Sequence, residues 1–105
     1  MEKRRDLRLK KKLPIRFFYE GQAYLSFTCD LSRRGVFIQT PHPCPPGRGI
    51  NIEIENLSRK IILAGFIIWS KKDMDQPAML FPGGMGVQLL NYQKEEYQSL
   101  IAGSN

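Results

Sequence analysis

The sequence predicts a mainly β domain, a six- to seven-stranded antiparallel β-barrel with a mobile N-terminal arm and a short C-terminal helix. Three observations carry that expectation. Short runs rich in β-branched and aromatic residues alternate with Gly, Pro, Asn and Asp turn signals. One long run, Arg59 to Lys71, is apolar on both faces and carries Gly65 at its middle, as a strand bent around a barrel requires. Helical periodicity is confined to the end of the chain, where Tyr92, Tyr97, Leu100 and Ile101 form an apolar stripe.

Taken in order, residues 1–12 lack apolar periodicity and read as a flexible basic arm. Residues 13–105 read as a single barrel domain, which the 105-residue length also favours. Its first strand runs from Leu13 to Tyr19, with Pro14 near the start where a missing N–H does least harm. Glu20-Gly21-Gln22 turns the chain into a second strand, Gln22 to Asp30, and a third follows from Gly35 to Thr40. Pro41-His42-Pro43-Cys44-Pro45-Pro46-Gly47 is a stiff loop that cannot join a ladder. From Gly49 to Asn56, Ile50, Ile52 and Ile54 alternate with Asn51, Glu53 and Glu55, the pattern of a half-exposed strand. Asn56-Leu57-Ser58 turns into the long strand, whose two apolar faces predict cover on both sides, with Gly65 as a bend or bulge. Residues 71–76 form a loop. Residues 77–90 carry a last strand or strand pair interrupted at Gly83-Gly84, and Asn91 is a candidate cap for the helix.

Charge is distributed unevenly. Residues 1–16 carry eight basic and two acidic side chains, and residues 17–105 carry eight of each, so the whole excess of +6 sits on the arm. Such an arm is drawn to something anionic, or serves as a solvated tail. No apolar run approaches the ~18–20 residues of a membrane span. The charged start, Met1-Glu2-Lys3-Arg4-Arg5, is followed by no signal-type apolar core. Two cysteines, Cys29 and Cys44, do not make a disulfide framework, and Cys29 fits the buried face of a strand, so both read as reduced thiols. The expectation is a cytoplasmic protein with no membrane insertion.

The sequence places its chemistry at Asp30-Leu31-Ser32-Arg33-Arg34-Gly35. Strand alternation puts Ser26, Thr28, Asp30 and Ser32 on one polar face, and Leu25, Phe27, Cys29 and Leu31 on the core face. Arg33 and Arg34 then occupy a turn, and Gly35 either takes a positive φ or lets another group approach the backbone. An acceptor, a hydroxyl, two cations and an open backbone describe a small polar cradle. The same residues also fit an Asx-type turn closing a hairpin. The arm adds two arginines four residues apart, Arg4 and Arg8, with Arg5 beside the first.

Together, Arg4-Arg5-Asp6-Leu7-Arg8 and Asp30-Leu31-Ser32-Arg33-Arg34-Gly35 resemble the signature of the PilZ domain, a bacterial receptor module for cyclic di-GMP. That signature joins Arg-x-x-x-Arg on an N-terminal arm to Asp/Asn-x-Ser-x-x-Gly on a barrel. Gly84-Met85-Gly86-Val87-Gln88-Leu89 also resembles the family's last strand. The resemblance spans essentially the whole chain. It implies that Arg4 and Arg8 clasp cyclic di-GMP while Asp30, Ser32 and Gly35 form the floor. Arg5 and Arg34 are further contacts, and Trp69 is either a stacking edge or a barrel-rim tryptophan. Lys10-Lys11-Lys12 departs from the more apolar link that often follows such an arm.

The chemistry agrees with that assignment. A guanidinium fork matches guanine O6 and N7, and phosphate oxygens, bidentately, and its plane stacks on a base. The Asp30 carboxylate suits the N1 and N2 hydrogens of guanine. Ser32 reaches a phosphate or braces Asp30, and Gly35 leaves room for a flat ligand. No catalytic site, cofactor or metal is expected: His42 is the one histidine and lies in the proline-rich loop, and no serine or cysteine has the setting of an activated nucleophile. The resemblance implies a separate, unidentified effector protein of motility, pilus or polysaccharide machinery. Two alternatives remain: a small barrel that binds single-stranded nucleic acid, and a PilZ-like adaptor that binds protein without nucleotide. The aromatics disfavour nucleic acid, because Phe17, Phe27, Phe37 and Phe66 read as core rather than as a stacking platform.

Overall fold

The computed structural model describes residues 8–72 and 83–102. Seven strands and one helix follow in chain order: β1 (Arg8–Lys10), β2 (Pro14–Tyr19), β3 (Gln22–Ser32), β4 (Gly35–Gln39), β5 (Gly49–Asn56), β6 (Arg59–Lys72), β7 (Gly83–Leu89) and α1 (Glu95–Ile101). The sheet runs β3-β2-β5-β6-β7-β4, and pairing of β3 with β4 closes it into a six-stranded antiparallel barrel. Among the described residues no helix is long and apolar enough to cross a membrane.

β1 is the seventh strand and lies outside the closed ring. It continues the edge of β3 that β2 leaves free: β2 pairs with β3 up to Pro14 opposite Phe27, and β1 takes over with Lys10 opposite Asp30. The sequence reading began the strands near Leu13; the ladder already includes Arg8. Thr28, buried on β3, joins the two segments. Its hydroxyl accepts from the Leu13 N–H at 2.9 Å and donates to the Lys11 carbonyl at 2.6 Å, so the step from β1 to β2 keeps its backbone groups satisfied.

The core is the barrel interior. Ile15 and Phe17 of β2, Ile50, Ile52 and Ile54 of β5, and Ile61, Leu63 and Ile67 of β6 meet there, as period-two patterning dictates. Each such side chain contributes about 1.5–3 kcal/mol by leaving water. Tyr97 and Leu100 of α1 join the same cluster. The helix thereby covers the barrel end formed by the β3–β4 turn and the β5–β6 hairpin.

Four sequence expectations change. First, the register of β3 against β4 shifts between Thr28 and Asp30, a bulge at Cys29. One inserted residue reverses the alternation. Before the bulge Ser26 and Thr28 face inward while Leu25 and Phe27 are exposed; beyond it Leu31 faces inward and Asp30 and Ser32 are half-buried. The single continuous polar face expected from Ser26 to Ser32 is therefore broken at Cys29. Cys29 is only half-buried, and the buried thiol is Cys44; both cysteines are free.

Second, the outer face of β6 is not covered. Ile62, Phe66 and Ile68 are each about half exposed, because no element of the described residues packs over that side of the barrel, and Phe66, like Phe27, is not the core residue expected. Third, the β6 bulge falls between Ile67 and Trp69, not at Gly65. Gly65 serves close approach instead: a Cβ there would collide with the Gln88 carbonyl of β7. Fourth, Asn91 does not cap α1. Its Oδ1 accepts from the Ala64 N–H at 2.9 Å, and the N-cap is Lys94, with Glu95 and Glu96 placed favourably in the first turn. The final strand begins at Gly83, and the earlier part of the expected run lies outside the described residues.

Candidate functional site

The Cys29 bulge builds the site. It turns Asp30 and Ser32 away from the core while Leu31 between them is wholly buried. β1 lies along one edge of this segment, with Lys10 opposite Asp30 and Arg8 opposite Ser32. β4 lies along the other, with Phe37 opposite Asp30. The second arginine of the arm motif and the serine of the barrel motif are thus cross-strand neighbours. Arg4 and Arg5 lie outside the described residues.

After Ser32 the chain reverses through Arg33 and Arg34 into β4. The turn is held from several directions. Ser32 Oγ donates to the Gly35 carbonyl at 3.3 Å. The Leu89 N–H donates to the Arg34 carbonyl at 2.8 Å. From α1, the Tyr97 hydroxyl donates to the Ser32 carbonyl at 2.6 Å and to the Gly35 carbonyl at 3.0 Å, and Gln98 Nε2 donates to the Arg33 carbonyl at 3.3 Å. Tyr97 is fully buried. Burial, and secondarily the Asp30 carboxylate, push its pKa above the ordinary value of 10.0, so the phenol stays protonated and remains a donor.

Gly35 answers the question the sequence left open. Its φ is not positive; what it provides is close approach, since a Cβ there would lie 3.0 Å from the Val87 carbonyl and 3.6 Å from Ser32 Oγ. Ser32, Arg34 and Gly35 line one side of a surface cleft of about 380 Å³, and Ile68, Trp69, Gly86 and Gln88 line the opposite side. This volume lies within the usual range of small-molecule sites, ~300–1,000 Å³. Arg34 is exposed, with its guanidinium 5.4 Å from the centre of the Tyr92 ring. Asp30 does not line the cleft; it lies two residues before Ser32 on the same strand.

Trp69 owes its place to the second bulge. The register shift after Ile67 sends Ile68 and Trp69 outward in succession. The indole lies directly over Gly86, where even a methyl group would collide with Nε1, and its centre is 5.0 Å from that of the tilted Phe37 ring. At 39% exposure the tryptophan is neither core nor free, and one edge is open to the cleft.

The sequence reading missed Tyr97 as a site residue and treated it as one member of an apolar stripe. Its hydroxyl was the available signal, because a buried phenol needs an acceptor. Gly86 and Phe37 were also missed as the seat of Trp69; the glycine-rich start of β7 was the cue. Among the described residues, no group of three or more His, Cys, Asp and Glu side chains is placed to hold a metal ion. Burial, first of all, pushes the thiols of Cys29 and Cys44 above their ordinary pKa, the opposite of what an activated nucleophile requires.

A six-stranded barrel with a braced turn between β3 and β4, an arm strand beside it and an aromatic across the cleft has the form of a binding module. The PilZ domain family model matches residues 2–104, and the chain belongs to that family. Its kind of function is accordingly that of a receptor or adaptor in cyclic di-GMP signalling. Among solved structures, the Bacillus subtilis inhibitor of motility (MotI/DgrA) aligns with a TM-score of 0.76 and 14% identity over 98% of this chain and 50% of its own. The chain therefore spans about half the length of that neighbour. The PilZ domain of CeSA from a cellulose-synthesising bacterium aligns with a TM-score of 0.67 and 18% identity, covering 92% of this chain and 96% of its own. At these identities both likenesses speak to the fold. No curated protein matches the sequence.

Proposed function

We propose that the protein is a bacterial, cytoplasmic receptor that binds cyclic di-GMP between the Arg4–Arg8 arm and the Asp30–Gly35 face, and signals by fixing the arm against the barrel. The observation that carries this reading is the register of Arg8 opposite Ser32, beside a cleft lined by Ser32, Gly35 and Trp69. Two arginines four apart supply two forks for a ligand with two phosphodiesters and two guanines. Asp30 accepts from guanine N1 and N2, Ser32 meets phosphate, and Trp69 offers a face or edge to a base. Arg5 and Arg34 add positive charge at the rim.

The output is a changed surface. With the ligand seated, the arm becomes an ordered basic patch that an effector protein recognises. The two neighbours, an inhibitor of motility and a domain from a cellulose-synthesising bacterium, suit an effector in motility, pilus or polysaccharide machinery.

The test is calorimetric titration with cyclic di-GMP, beside a generic single-stranded oligonucleotide, at two salt concentrations. A dinucleotide held by base contacts as well as phosphates loses little affinity as salt rises, whereas binding by arm charge alone falls steeply with a slope set by the phosphates neutralised. Saturable cyclic di-GMP binding that persists at the higher salt is expected. Length-dependent oligonucleotide binding with none to the dinucleotide would replace this reading with the nucleic-acid one.

A further inference from the structure

We infer that Tyr97 is a positioning residue for the ligand site: through its hydroxyl, helix α1 sets the shape of the Ser32–Gly35 turn and hence the affinity of the cleft. The inference rests on the cyclic di-GMP reading of that cleft and adds a residue from outside both motifs.

The geometry is specific. One hydroxyl shares its single hydrogen between the carbonyls that open and close the turn, Ser32 at 2.6 Å and Gly35 at 3.0 Å. The next residue of the helix, Gln98, holds the carbonyl between them, that of Arg33, at 3.3 Å. Three of the four carbonyls from Ser32 to Gly35 thus point at α1. The fourth, Arg34, is held by the Leu89 N–H of β7. Fixing the carbonyls fixes the peptide planes, because each peptide is flat. The planes in turn set where Ser32 Oγ, the Arg34 side chain and the Gly35 backbone stand in the cleft.

The ring alone cannot do this. Tyr97 is fully buried among apolar neighbours, and a phenylalanine would fill nearly the same space. Losing the hydroxyl removes the one donor that the Ser32 and Gly35 carbonyls share, leaving Gly35 with Ser32 Oγ at 3.3 Å as its side-chain donor, and the turn then relaxes toward other partners. A binding site is sensitive to shifts of about 0.5 Å in its contact groups. The coupling is reciprocal: a ligand that fixes the turn also tightens the helix on the barrel.

The test compares the intact protein with Tyr97→Phe, measuring thermal unfolding, cyclic di-GMP affinity by calorimetry, and amide exchange at residues 33–36. Ile54→Val is the control, a core truncation in β5 away from the cleft. A merely structural Tyr97 would behave like that control, with a lower Tm and unchanged affinity. The positioning role instead lowers affinity roughly three- to thirtyfold, the effect of about one hydrogen bond, and speeds exchange in the turn. Equal affinity in Tyr97→Phe and the intact protein overturns the inference while leaving the receptor reading in place. Absence of cyclic di-GMP binding by the intact protein overturns the reading itself, and the inference with it. Should Tyr97→Phe fail to fold, Gln98→Ala carries the comparison: a loss of roughly two- to fivefold is expected, and no loss overturns the inference.

Discussion

Arg8 of β1 stands directly opposite Ser32 of β3, so the arm motif and the barrel motif meet through a backbone ladder. The base of the arm, Arg8 to Lys10, is therefore held by backbone pairing to β3.

Amide exchange tests that division. Without ligand, Leu9 and Lys10 are expected to exchange more slowly than residues 3–7, because β1 is already paired. Saturating cyclic di-GMP slows residues 3–7 further, and Ile61 to Ile67 change little. Arg8→Ala weakens binding at least tenfold, given ~1.5–3 kcal/mol for a charge-assisted hydrogen bond. Arg8→Lys restores little of it, since an ammonium lacks the fork. Residues 3–7 that exchange alike with and without saturating ligand would contradict the arm as the switch.

Trp69 provides a second test. If it receives a base, Trp69→Ala lowers affinity by about 1–3 kcal/mol, the worth of one stacked base. Phe66→Ala, on the same strand but outside the cleft lining, leaves affinity unchanged. An unaltered dissociation constant for Trp69→Ala would make the indole only a cover for Gly86.

What was legible in the sequence, and what was not, separates by cause. The inward residues of β2 and β5, and of β6 as far as Ile67, follow alternation, and their strands were readable to within a residue or two; the bulge after Ile67 takes Trp69 off the face that alternation assigns it. Alternation fails at a bulge. Nothing in Thr28-Cys29-Asp30 announces the inserted residue, so Ser26 and Thr28 were assigned to the wrong face while Asp30, Leu31 and Ser32 beyond it kept theirs. The two-faced apolar pattern of β6 signalled burial that the described fold does not supply, because cover depends on where α1 packs. Motif spacing singled out Ser32 and Gly35, and resemblance singled out Trp69; the three line one cleft. Neither could locate Tyr97, which reaches the turn from 65 residues away along the chain.

Alkaline pH gives Tyr97 a signature of its own. Its pKa is raised in the folded state by burial first and by Asp30 second. The neutral phenol is thus the form that folding favours. Its contribution is fully present below pH 10.0, the ordinary value, and is lost as pH rises from there toward the folded pKa. The intact protein should lose stability above pH 10 more steeply than Tyr97→Phe, by about 1.4 kcal/mol per pH unit at most. Denaturant midpoints measured between pH 9 and 11 for both proteins check this; parallel curves would place the phenol in contact with water.

Leu57 marks a local strain that can be relieved. It is the first central residue of the β5–β6 hairpin, has φ 60° and is 85% exposed. Leucine is unfavourable in the left-handed region, and two-residue hairpins favour glycine at this position when φ is positive. Leu57→Gly should raise stability by about 0.5–1 kcal/mol, read from the denaturant midpoint, with no change in ligand affinity. A fall in stability would mean that Leu57 makes a packing contribution its exposure does not suggest.

The most direct test of the central claim is discrimination between two cyclic dinucleotides that differ only in their bases. Cyclic di-GMP offers the N1 and N2 hydrogens that Asp30 is proposed to accept, and cyclic di-AMP offers neither. Calorimetry on the intact protein should give much tighter binding of cyclic di-GMP. Asp30→Ala should remove roughly ten- to a hundredfold of its affinity, as expected for one or two charge-assisted hydrogen bonds, and bring the two ligands close together. Equal affinity of the intact protein for both dinucleotides would contradict the account, reducing the site to an attraction between a basic arm and phosphate.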